Sequence, residues 1–298
     1  MNLADALSLL GGVSLFLFGM TLMGEGLKLV AGNKLELILY KLSGTPLKGI
    51  LLGTGVTAVI QSSSATSVMV VGFVNSGMMK MKQAISIIMG AIIGTSITGW
   101  IISLSDIGGS NGLLSLLSTE TLSAITAIVG IYLRLFSKKQ THHHTGDILM
   151  GFAILMFGMK AMSSSVSSLR ESKVFISLLT QFSNPILGII IGMVFTTVIQ
   201  SASASVGILQ ALSSTGAITF EIALPIIMGI AIGASVPVLL SALGASTDGK
   251  RTALSYLVVD TLGVIVFSLL FYSINAVVHF AFMSTPLRSV NIALLNTV

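Results

Sequence analysis

Cysteine is absent from this chain of 298 residues, which excludes disulfide frameworks, thiol nucleophiles and thiolate metal sites. Charge is nearly as scarce. Asp, Glu, Lys and Arg make up 8% of the residues, whereas a water-soluble domain carries about 25%. Histidine is confined to His142, His143, His144 and His279, and none stands at nucleophile–base spacing from a serine in an apolar run, which argues against a Ser-His hydrolase. The three consecutive histidines adjoin Lys138 and Lys139 and read as a solvated loop rather than a transition-metal site. No basic segment precedes the first apolar run, which starts behind Asp5, so a cleaved signal peptide is not expected. The net charge of +5 is spread over loops between apolar runs. That is the pattern of membrane topology and not of a phosphate-backbone footprint, so nucleic acid is not an expected partner.

What is present is apolar. Hydrophobic residues make up 53% of the chain and the mean hydropathy is +1.00. Repeated apolar windows of about 20 residues, enough to cross a ~30 Å hydrocarbon layer, indicate an integral membrane protein in a lipid bilayer.

The chain also repeats itself. A shift of 139 positions lays Gln61-Ser62-Ser63-Ser64-Ala65-Thr66-Ser67 on Gln200-Ser201-Ala202-Ser203-Ala204-Ser205-Val206. The same shift lays Phe18-Gly19-Met20 on Phe157-Gly158-Met159, Pro46 on Pro185, and Ile87-Ile88-Met89-Gly90 on Ile226-Ile227-Met228-Gly229. An internal duplication follows, with a first repeat at 1–137, a polar cytoplasmic linker at 138–146 and a second repeat at 147–298.

Each half is expected to run through one series: a span (3–23; 147–163), a short leg (46–60; 185–199), the polar signature, a second leg (66–79; 205–218), and two more spans (83–104 and 119–136; 222–244 and 252–272). In the first half Leu35, Ile38, Leu39 and Leu42 form an amphipathic stripe suited to an interfacial helix, and the tail after 274 leaves room for one more helix. A leg of about 14 residues reaches about 21 Å as a helix, short of the membrane core. Two such legs joined by a polar tip read as a re-entrant hairpin, with Pro46 or Pro185 in the first turn, where no amide donor is lost. Three crossings per half then invert the second repeat. The charges fit this, as they would two full spans in place of each hairpin: Lys28, Lys34, Lys41, Lys48, Lys80 and Lys82 flank the first hairpin, whereas Arg170 and Lys173, offset by Glu171 and Glu221, flank the second. The expected fold class is an all-α integral membrane protein of two inverted-topology repeats, each with a re-entrant hairpin carrying a Gln-Ser-x-Ser motif.

A hairpin tip presents the carbonyls ending one helix and the free amides starting the next. Amides at a helix N-terminus suit an anion, and carbonyls from broken backbone suit a hard cation. The hydroxyls and the two glutamines donate and accept, so the set serves an oxyanion and a small cation together. No Lys or Arg lies deep in an expected span, leaving an anion to be balanced by dipoles, donors and co-bound cations. For a single serine, helix–helix adhesion worth ~0.6–2 kcal/mol is the competing role. Two convergent tips in corresponding halves point instead to a secondary transporter.

These paired motifs, with the Gly90-Ala91-Ile92-Ile93-Gly94-Thr95 segment and its second copy after them, resemble the sodium-dependent phosphate symporter family, which includes bacterial sodium/phosphate cotransporters and the animal type II transporters. The resemblance covers about 3–272. It implies a carrier, not an enzyme, that imports inorganic phosphate with sodium by alternating access in the cell membrane and needs no cofactor beyond the sodium ion. It implies phosphate ligands at Gln61, Ser62, Ser63, Ser64, Gln200, Ser201 and Ser203. Sodium ligands would lie at Thr66, Ser67 and Ser205, with Thr95, Ser96, Thr98 and Ser235 close by. The sequence departs from the family pattern at Ile92 and Ala231, where relatives often carry Asn, and at Ala202, Ala234 and Pro237.

Asp260, about 12 Å into an expected span, is a cation ligand or proton site by position, with hydrogen bonding to nearby hydroxyls as the alternative. Glu25 reads as an interfacial residue, Asn75 as packing and Trp100 as an interfacial anchor. Other readings of the whole are a cation-coupled carrier of another small oxyanion or carboxylate, or an anion channel. A homodimer is compatible with all of them.

Overall fold

The computed structural model describes residues 3–31, 45–104, 119–166 and 184–297, which are overwhelmingly helical. The helices are α1 (Leu3–Ala31), α2 (Pro46–Ile60), α3 (Ser63–Asn75), α4 (Met81–Ser103), α5 (Thr119–Phe136), α6 (Gln140–Val166), α7 (Pro185–Ile199), α8 (Ala202–Ser213), α9 (Phe220–Gly233), α10 (Val236–Ser241), α11 (Thr247–Val278) and α12 (Ser289–Leu295). Five segments among the described residues are long and apolar enough to cross a membrane: Leu7–Val30, Met81–Ser103, Gln140–Met162, Phe220–Ser241 and Thr247–Val278. This is a multi-pass membrane protein. Large apolar side chains such as Ile128, Leu135, Leu262 and Leu269 are exposed on α5 and α11, as lipid contact requires.

The two expected hairpins are helix–break–helix units made the same way. Pro46 and Pro185 open α2 and α7, whose free amides are met by Thr45 Oγ1 (3.4 Å from Lys48 N) and by Asn184 Oδ1 (3.0 Å from Ile186 N). Both helices end on a glutamine in the left-handed region, Gln61 (φ 58, ψ 27) and Gln200 (φ 58, ψ 24). A serine then caps the next helix: Ser62 Oγ accepts from Ala65 N at 3.1 Å, and Ser201 Oγ from Ala204 N at 3.2 Å. These caps start α3 and α8 three residues before the expected 66 and 205. Turns through Gly77 and Gly216, both at positive φ, end them before 79 and 218.

Packing also repeats. A Cβ at Gly53 would collide with the Ile87 carbonyl, and one at Gly192 with the Ile226 carbonyl, so α2 lies on α4 as α7 lies on α9. The first helices of the two halves pack on each other. Gly12 faces Gly158 and Met162, while Gly19 faces Gly151 and Leu155, so α1 and α6 run antiparallel with repeat-related glycines matched crosswise.

Several expected boundaries change. α1 continues to Ala31 rather than ending at 23, because Gly24 and Gly26 lie inside the helix with their bare faces against Ile60 and Ile148. The stretch 138–146 is helical from Gln140, and His142 and His143 are not free loop residues: their rings contact Ser137 Oγ (2.9 Å) and the Ser137 carbonyl (2.6 Å). The expected span 222–244 breaks at Ala234–Ser235, because Pro237 has no N–H for the Gly233 carbonyl, and the chain restarts as α10. The tail after 274 supplies α12. It is tied down by Leu287 N to the Ile218 carbonyl (2.8 Å) and by the Ser96 hydroxyl to the Asn296 carbonyl (2.8 Å). The expected interfacial helix at 35–42, with Lys34, Lys41, Arg170, Glu171 and Lys173, lies outside the described residues.

Candidate functional site

The two tips open into one cavity of about 440 Å³. Gln61 and Ser62 line it from the first hairpin, and Gln200 and Ser201 from the second. The third wall is one face of α1, from Leu17 to Lys28, including Glu25. Gly24 allows α1 this close, since a Cβ there would sit 3.0 Å from the Ile60 carbonyl. Behind the second tip the Phe16 ring rests on Gly207.

A non-glycine residue in the left-handed region costs about 1–2 kcal/mol, and glycine is the usual occupant of a helix C-cap of this shape. Glutamine at both such positions therefore calls for a compensating use of its side chain. At each tip the first amides of the following helix, those of Ser63 and Ser64 and of Ala202 and Ser203, have no intrahelical acceptor. Together with the positive end of the helix dipole they suit an oxyanion.

The first tip is braced. Gln61 is buried, with Oε1 accepting from Thr98 Oγ1 at 2.9 Å and Nε2 donating to the Ala58 carbonyl. Beneath it Thr57 Oγ1 donates to Thr66 Oγ1 (3.0 Å), which donates to the Ser62 carbonyl (3.0 Å). The second tip has less. Ser205 Oγ donates to the Ser201 carbonyl at 2.9 Å, Thr196 is buried with an unpartnered hydroxyl, and Gln200 is exposed. Pro237 stands where the repeat would place a partner like Thr98.

The expected residues thus divide. Gln61, Ser62, Gln200 and Ser201 meet in one cavity. Ser63 and Ser203 are buried one position or more behind it; Ser63 Oγ accepts from Tyr256 OH at 3.3 Å, and Ser64 Oγ makes a long 3.5 Å contact to the Ala234 carbonyl. Thr66 and Thr98 support the first tip, and Ser67 is buried with an unpartnered hydroxyl. Thr95 donates to the Ala91 carbonyl, Ser96 to the Asn296 carbonyl and Ser235 to the Ile232 carbonyl. Asp260 lies outside the tip cavity. Glu25 and Lys28, expected only to flank the tips, line the cavity, so one fixed charge of each sign faces them. The signal was available: Leu17, Met20, Thr21, Gly24 and Lys28 follow the i, i+3, i+4, i+7, i+11 spacing of one helix face.

Two stretches of the chain, 15–164 and 154–291, match the family model of the Na+/Pi-cotransporter. The chain belongs to that family. The second match begins 139 positions after the first, the shift that superposes the tips. The family is one of transporters, not enzymes. The chain is 27% identical to the Bacillus subtilis protein YqeW over 84% of its own length and 77% of that protein. It is 24% identical to the Escherichia coli K12 protein named "Putative inorganic phosphate export protein YjbB", over 86% of this chain and 45% of that one. A shorter stretch, 34% of the chain, is 37% identical to 15% of the human sodium-dependent phosphate transport protein 2B. The chain therefore spans most of YqeW but less than half of the relatives whose names give a substrate. No solved structure matches it.

Proposed function

We propose that this chain is a secondary transporter that moves inorganic phosphate together with sodium across the cell membrane by alternating access. The observation that carries the reading is the single cavity lined at once by Gln61 and Ser62 and by Gln200 and Ser201. Phosphate is held there by the free amides and hydroxyls of both tips and by the two glutamine amides, with Ser63, Ser64 and Ser203 completing the shell as the tips close. Lys28 offsets part of its charge. Sodium binds to oxygen on the braces, at Thr66, Ser67, Thr98 and Ser205, with Ser96 and Ser235 behind them, so its binding stiffens the tips that hold the anion.

The two halves, 1–137 and 147–298, act as inverted repeats. The crosswise glycine contacts of antiparallel α1 and α6 support this, because equivalent helices related in that way exchange contacts about a two-fold axis. Legs of 15 residues in α2 and α7, about 22 Å long, favour hairpins that enter and leave on one side. Rocking of one repeat against the other opens the cavity to alternate faces.

Transport runs inward when the sodium gradient points inward, and each net positive charge carried gains ~2.3 kcal/mol per 100 mV. The name of YjbB favours outward movement as the second reading. The test is radiolabelled phosphate uptake into proteoliposomes under imposed sodium gradients of either sign. Saturable flux that follows the sodium gradient and stops with a sodium ionophore supports the proposal. Flux indifferent to sodium overturns the coupling, and no phosphate flux in folded protein overturns the substrate.

A further inference from the structure

Asp260 projects from α11 into the protein, on the face that also carries Thr252, Ala253 and Tyr256. It is 6% exposed, and its Oδ2 has no hydrogen-bond partner. A buried carboxylate is normally paired, hydrogen-bonded or coordinated to a cation, because burying it alone is costly. No Lys, Arg or His lines the cavities that Asp260 faces.

One of these is a chamber of about 60 Å³, walled by Asp260, Thr95, Tyr256, Asn296, Ala202 and Ala234 among others. It adjoins a wider, mostly apolar cleft of about 300 Å³ that shares Ile92, Ala231, Asp260 and Asn296. Five of the nine wall residues, Ile92, Ala202, Ile230, Ala231 and Ala234, are apolar, and the donors among the other four are hard oxygen and amide. Both hydroxyls already give their protons elsewhere, Thr95 to the Ala91 carbonyl (3.3 Å) and Tyr256 to Ser63 Oγ (3.3 Å). Their remaining capacity at the chamber is that of lone pairs, which is what a cation needs. The volume admits a small ion with water beside it.

We propose that Asp260 anchors a monovalent-cation site, distinct from the tip cavity, formed with Thr95, Tyr256 and Asn296 and occupied by sodium during transport. The identity of the ion rests on the sodium-coupled reading above. The site is placed to couple. Ala202 begins the helix behind the second tip, Ala234 receives the hydroxyl of Ser64, and Tyr256 holds Ser63. An ion drawing in the Tyr256 oxygen therefore positions the first tip from behind. Asn296 makes the C-terminal segment part of the site, fixed by Ser96 Oγ on the Asn296 carbonyl and Trp100 Nε1 on Thr297 Oγ1 (3.1 Å).

The test counts bound ions on the purified full chain, using radioactive sodium and radioactive phosphate in parallel. Wild type is compared with Asp260→Asn, which keeps the shape, and with Thr95→Val, which keeps the volume. Asp260→Asn is expected to bind one sodium fewer per chain while still binding phosphate at saturating sodium. Thr95→Val is expected to weaken one sodium by about tenfold, the loss typical when one partner at an ion site is removed. An unchanged sodium count in Asp260→Asn overturns the proposal, as does a wild type that binds no sodium. If Asp260→Asn does not fold, an unchanged sodium affinity in Thr95→Val overturns it. Absence of phosphate binding in the wild type would count against the tip reading alone, because the sodium count still decides Asp260.

Discussion

Thr98 donates a 2.9 Å hydrogen bond to Oε1 of Gln61, joining α4 to the tip of the first hairpin. With Nε2 held by the Ala58 carbonyl, both ends of the Gln61 amide are fixed. Gln200 has the same backbone conformation but is exposed and has Pro237 where that partner would stand. The first tip is therefore the preorganised one and the second the adaptable one. Thr98→Val should leave the fold intact and raise the KM for phosphate by about fivefold to 150-fold, the equivalent of about 1–3 kcal/mol for a buried group left unpaired. Uptake kinetics in proteoliposomes would check this, and an unchanged KM would mean that the Gln61 orientation does not matter.

Left-handed backbone at Gln61 and Gln200 separates stability from function. Gln200→Gly should keep or slightly raise the melting temperature, since glycine removes about 1 kcal/mol of backbone strain, whereas Gln61→Gly also gives up the buried bonds to Thr98 and Ala58 and should lower it. Both should lose phosphate transport. A transporting Gln→Gly variant would show that the side chain serves only the turn.

Gly19 and Gly151 meet where α1 crosses α6, with no space for a Cβ on either. Gly19→Leu should force the helices apart and reduce membrane accumulation and thermal stability together, by roughly 1–3 kcal/mol or more as overpacking does. Gly11, which meets nothing, is the control: Gly11→Ala should behave as wild type.

Lys28 lies at the mouth of the tip cavity on the exposed side of α1. Lys28→Gln should raise the KM for phosphate several-fold with little change in maximal rate, and the difference should shrink as ionic strength rises. Equal effects at low and high salt would rule out a role through charge.

The legs were legible almost to the residue at 46–60 and 185–199, because Pro46 and Pro185 mark their starts and a polar signature their ends. What composition could not give was which apolar runs break and which continue. The span expected to end at 23 runs on through Gly24 and Gly26, which are contact points inside α1. Pro237 looked like part of a span but ends α9. The second legs were placed three residues late because Ser62 and Ser201 are caps, and a serine-rich run does not announce which serine that is. Of the site, the glutamines and serines were visible because polar residues stand out in apolar sequence. Glu25 and Lys28 were hidden for the same reason: once α1 was cut at 23, charges beyond it became loop. The joining of the tips is a tertiary relationship that no local pattern contains.

The most direct test of one shared site is the number of phosphate ions bound per chain, measured by equilibrium binding on wild type, Gln61→Ala, Gln200→Ala and the double variant. A site built from both tips predicts one phosphate per wild-type chain, loss of most binding in either single variant, and no further loss in the double. Two phosphates per chain, or half the binding retained in each single variant, would contradict it and make the tips independent sites.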